Sequence, residues 1–153
     1  MRVHVIGVGS GRGDDAAGLA VAAALAARPL PPGVVVRACA RPLPDLLDAL
    51  EGADAAVLVD AVRTGAPAGR LRRLALGDLA RPRAASSHGL GVAQVLDLAA
   101  ALGHAPAHIE LLAVEISDAP GLEPSERVQA AIGAAADAAL AIARELQQGE
   151  AVP

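Results

Sequence analysis

The chain has 153 residues, enough for one domain around a single hydrophobic core. Thirteen Lys+Arg against seventeen Asp+Glu give a formal charge of -4, and there is no lysine, which argues against a surface built to track nucleic-acid phosphates. Phe, Tyr and Trp are absent, so the stacking platforms of single-strand binders are missing and Leu, Val, Ile and Ala must fill the core.

Arg2–Val8 is rich in β-branched residues and ends in glycines, which predicts a first, buried strand. Asp14 and Asp15 then head an Ala-rich helix running to Arg28, with acids at its positive end, and Pro29, Pro31, Pro32 and Gly33 break it. Gly33–Cys39 is a second strand and Pro44–Leu50 a short helix. Ala55–Asp60 is a third strand, nearly all apolar, as in the centre of a parallel sheet. Arg63–Gly69 is a loop, and Arg70–Leu76 an edge strand whose arginines form a solvated face. Gly89–Leu102 is a helix with Leu90, Val92, Ala93, Leu96 and Ala100 on one side. His108–Ile116 is a further strand, Pro124–Gln148 a closing helix, and the C-terminal QQGEAVP, from Gln147, a frayed end. This alternation predicts a single α/β domain over residues 1–153, a three-layer αβα sandwich with a mainly parallel central sheet.

The longest apolar stretch, Ala16 to Ala27, spans about 12 residues, short of the ~20 a membrane crossing needs. No signal-peptide layout opens the chain, and the lone Cys39 fits a reducing compartment. A cytoplasmic protein with no membrane or nucleic-acid partner is expected.

In sheets of this kind, sites form beyond the carboxyl ends of the strands. The first strand delivers Asp14 and Asp15 to that rim, the third ends at Asp60, and the loop 81–87 delivers His88 to the start of a helix. Singly, each has a structural role available: an N-cap for either Asp14 or Asp15, and capping or packing for His88. Asp60 is costlier to explain, because a carboxylate closing an apolar strand must be paired or bound to a cation. Together, two carboxylates and an imidazole suit a divalent metal, and three ligands leave positions open for something else to bind.

Other signals are weaker. The turn GVGSGRGDDAAG has Arg12 where a dinucleotide fingerprint needs its third glycine, and its acid pair would repel a pyrophosphate. Ser86 and Ser87 occupy no nucleophile-elbow pattern. Cys39 reads as a small buried hydrophobe, His4 as structural, and His104 and His108 as solvated.

Three segments in order carry a resemblance. GVGSGRGDDAAG resembles the Gly-x-Gly-Asn turn and acid pair that open hydrogenase maturation proteases. VLVDAVRTGAPAG resembles their apolar strand ending in Asp-Ala, and SSHGLGVAQVLDLAAALG their helix headed by a histidine. The family implies an αβα fold and places its metal-binding and catalytic residues, by position, at Asp15, Asp60 and His88. It implies an aspartyl-type endopeptidase that removes the C-terminal extension of a nickel-iron hydrogenase large-subunit precursor after nickel insertion. The nickel it recognises is carried by that substrate, with zinc or cadmium able to substitute in the isolated protein. The chain departs from the family pattern at Ser10, where Asn is usual, in a turn one residue shorter, in Asp15 for the commoner Glu, and at Cys39–Arg41 in place of Gly-Gly-Thr. The alternatives are a non-catalytic nickel-sensing accessory protein, which would leave the precursor uncut, and a nucleotide-binding α/β module.

Overall fold

The computed structural model describes residues 1–9, 13–74, 89–117 and 124–149. In chain order they form β1 (Val3–Val8), a 3-10 turn (Gly13–Ala16), α1 (Ala17–Ala26), β2 (Val34–Cys39), a π-helical turn (Pro42–Leu46) running into α2 (Leu47–Leu50), β3 (Ala55–Val62), β4 (Leu71–Leu74), α3 (Gly89–Ala101), β5 (His108–Glu115) and α4 (Glu126–Gly149). The sheet order is β2-β1-β3-β5-β4. β1 pairs in parallel with β2 and β3, and β3 with β5, while β4 runs antiparallel along β5 at the edge. The expected mainly parallel α/β sandwich is what forms.

Every residue of β1 and β3 is buried, which is why these segments are apolar without alternation. One face of the sheet, with Val3, Val5, Val57, Val59, Leu112 and Val114, packs against α1 and α4. The other, with Ile6, Val8, Ala56, Leu58 and Leu111, packs against α2 and α3. With no aromatic ring to span a gap, the layers must approach closely. Gly18 on α1 allows it: a Cβ there would lie 2.1 Å from the carbonyl oxygen of Val8 and 2.5 Å from that of Val59. The first turn of α1 therefore rests directly on the carboxyl ends of β1 and β3.

Several boundaries differ from the sequence expectation. Asp14 and Asp15 lie in a 3-10 turn, so α1 starts at Ala17 and its N-cap Ala16 makes no side-chain cap bond. β3 does not end at Asp60 but continues to Val62, because β5 pairs with it through Val62↔Glu115 after β1 has stopped at Gly7↔Val59. The helix expected over Pro44–Leu50 is α-helical only over Leu47–Leu50, its first part lying in the π-turn Pro42–Leu46. β4 is described only over Leu71–Leu74, and residues 75 and 76 of the expected strand lie outside the described residues. The expected fraying does not include Gln147, whose side-chain amide donates to the carbonyl oxygens of Pro32 (2.9 Å) and Met1 (3.4 Å) and ties α4 to the start of the sheet. Among the described residues no helix is long and apolar enough to cross a membrane.

Candidate active site

The glycines of the first motif set the geometry of the rim. A Cβ on Gly7 would lie 2.1 Å from the carbonyl oxygen of Gly18, and one on Gly9 would lie 2.4 Å from that of Asp15. The Gly-x-Gly pattern thus serves close backbone packing, bringing the acid pair down onto the strand ends.

The two acids have opposite surroundings. Asp14 is buried, and its carboxylate accepts from the amides of Ser125 (2.6 Å) and Ser117 (3.1 Å) and from both serine hydroxyls (3.2 Å each). Burial alone would raise its pKa, but the hydrogen bonds from Ser125 and Ser117 outweigh it and hold the carboxyl below its ordinary value. Asp14 ties the first turn to the segment after β5 and to the start of α4, a structural role. Asp15 is partly buried, with 27% of its side chain exposed and its Oδ1 4.0 Å from Nη2 of Arg63.

Asp60 is 1% exposed, the first residue of β3 beyond its pairing with β1, and stands opposite Ala113 of β5. Its Oδ1 accepts from the amide of Ala61 at 2.8 Å. By strand alternation Asp60 shares the face of Ala56 and Leu58, the one covered by α3. The segment Gly103–Ala105, just after the C-terminal end of α3, shares a cavity of about 320 Å³ with Glu51–Ala53 at the amino side of β3. The first residue of α3, Gly89, therefore lies towards the carboxyl rim, ~20 Å away along a helix of this length. His88, the expected imidazole, precedes Gly89 and lies outside the described residues. Among the described residues no group of three His, Cys, Asp or Glu side chains is placed to hold a metal.

A family model described as hydrogenase maturation protease matches residues 20–142. The chain belongs to this family. The matched span includes Asp60 and His88, and Asp15 precedes it. Among solved structures, the hydrogenase maturating endopeptidase HybD from E. coli is 28% identical with a TM-score of 0.80, covering 95% of this chain and 93% of its own. A hydrogenase 2 maturation peptidase from a Thaumarchaeota archaeon is 32% identical with a TM-score of 0.66, covering 93% and 97%. The [NiFe] hydrogenase maturation protease HybD from Thermococcus kodakarensis, 24% identical with a TM-score of 0.74 over 95% and 99%, shares the fold. No curated protein sequence matches the chain.

Against this family background, the thiol and the other histidines fall away as chemical groups. Cys39 is fully buried, and burial, with Asp45 and Asp48 nearby, pushes its pKa up to about 12, leaving no thiolate for nucleophilic attack. His4 hydrogen-bonds through Nδ1 to the carbonyl oxygen of Ala49 at 2.7 Å, so it holds α2 to the sheet. His104 and His108 are exposed at the amino side.

One rim group escaped sequence reasoning. Glu115, fully buried at the end of β5, accepts from the Thr64 amide (2.9 Å) and from the Thr64 hydroxyl, and so fixes the loop that follows β3. The signal was available: an acid closing the apolar run LLAVE is as costly to bury as Asp60 closing AAVLVD.

Proposed function

We propose that this protein is the endopeptidase that removes the C-terminal extension of a nickel-iron hydrogenase large-subunit precursor, and that it recognises the nickel already bound there through Asp15, Asp60 and His88. The observation that carries the proposal is Asp60: a carboxylate 1% exposed, on the carboxyl rim, beside the turn that holds the partly exposed Asp15. The family membership of the chain supports the reaction class.

Two carboxylates and an imidazole are the oxygen and nitrogen donors that a borderline divalent ion accepts. Three donors leave its shell incomplete, and ligands from the precursor would fill the remainder. The ion is the substrate's cargo, and when bound it polarises what it touches. The chain's own part is positional. Asp60 stays fixed because its strand is buried and Ala61 holds one oxygen, and Asp15 keeps 27% of its side chain exposed beside a turn that Asp14 ties down.

The test is incubation of the purified protein with nickel-loaded and nickel-free precursor, read by intact mass. The expected result is shortening of the loaded precursor without added metal and none of the nickel-free one. Equal cleavage of both would remove nickel from the recognition step, and binding without shortening would identify an accessory protein instead of a protease.

A further inference from the structure

Arg63 stands at the edge of the proposed site, and both ends of its contact with Asp15 are anchored. On one side, Gly9 packs against the Asp15 carbonyl and Asp14 is locked by Ser117 and Ser125, so the backbone of the acid turn is fixed. On the other, the residue after Arg63 is Thr64, whose amide and hydroxyl both donate to buried Glu115 and whose Oγ1 also accepts from Nη1 of Arg72 at 3.1 Å. The β3–β5 register sets Glu115 directly beside Val62, so this clamp grips the chain as it leaves the sheet. The Arg63 side chain is 43% exposed, on a backbone held by this clamp.

We propose that Arg63 is a specificity-determining residue that competes with a divalent metal for the Asp15 carboxylate, so that a metal fixed on the precursor engages the rim and a free ion is held off. This deepens the function proposed above and rests on Asp15 being a metal contact. The argument is electrostatic. A doubly charged ion on Asp15 would sit within roughly 6 Å of the guanidinium, and in a water-like dielectric that repulsion lowers the binding constant about tenfold, more where water is excluded. A free ion has only the rim donors to offset it. An ion on the precursor arrives with the contacts of a docked protein, which offset the cost of displacing the arginine side chain.

The experiment is calorimetric titration of the full chain with nickel chloride at low ionic strength, with folding of each variant checked by circular dichroism. Arg63→Gln is expected to bind nickel about tenfold more tightly than wild type, Arg63→Lys within about twofold of it, and Arg63→Gln combined with Asp15→Asn to lose the gain. Arg63→Gln binding within twofold of wild type, while Asp15→Asn or Asp60→Asn weakens binding, would overturn the role of Arg63 and leave the metal site standing. If Arg63→Gln binds no nickel at millimolar concentration, or neither Asp15→Asn nor Asp60→Asn changes its affinity, the inference and the metal site both fall.

Discussion

Asp14 and Asp15 are adjacent in sequence and separate in role. Asp14 receives four hydrogen bonds from two serines more than a hundred positions away. An acid pair at the head of a helix was legible in the sequence. Which acid is locked and which stays partly exposed was not, because Ser117 and Ser125 are remote and carry no local pattern. Asp14→Asn keeps one acceptor oxygen and turns an NH2 group towards hydroxyl and amide donors, so it should cost about 1–3 kcal/mol of unfolding free energy in urea at neutral pH. The folded-state pKa of Asp14 lies below its ordinary value of 3.8, so its stabilisation is present above that value and is lost as pH falls through the folded one. The stability gap between wild type and Asp14→Asn should therefore be constant near neutrality and close in acid. A gap that persists unchanged to pH 2 would mean that the charge of Asp14 is not what holds the serines.

At the scale of elements, what joins helix to sheet is the absence of side chains. Gly18→Ala would put a methyl group against the carbonyls of Val8 and Val59, prising α1 from the strand ends, and should cost at least about 1–3 kcal/mol. Gly133, exposed on α4 with nothing within 4 Å of an added Cβ, is the control: Gly133→Ala should stabilise by ~0.5–1 kcal/mol through helix propensity alone. Equal effects of the two substitutions on the urea midpoint would show that close approach at Gly18 is unimportant. The strands and helices were legible from apolar runs and breakers, yet their ends moved where a neighbour decides them. β3 outlasts Asp60 because β5 continues to pair with it, and the turn before α1 tightens because Asp14 is pulled towards Ser125.

For the whole molecule, the parallel α/β class and the edge position of β4 followed from alternation, whereas the antiparallel pairing of β4 with β5 depends on long-range contact that no local pattern encodes. The arginines of that strand are not simply solvated: Arg73 bridges Glu110 and Glu145, linking β4 to β5 and α4. Asp60 could be singled out in the sequence because a buried acid in an apolar strand is costly; Glu115 satisfies the same criterion and turns out to anchor the loop that carries Arg63. The central claim is that the carboxyl rim reads the metal of the precursor, and Asp60→Asn tests it most directly, since it keeps the shape of a buried side chain while removing its charge. Mass spectrometry of nickel-loaded precursor incubated with wild type or Asp60→Asn, at matched unfolding midpoints, should show processing slowed on the order of 100-fold or more in the variant. Processing at the wild-type rate by a folded Asp60→Asn protein would contradict the account.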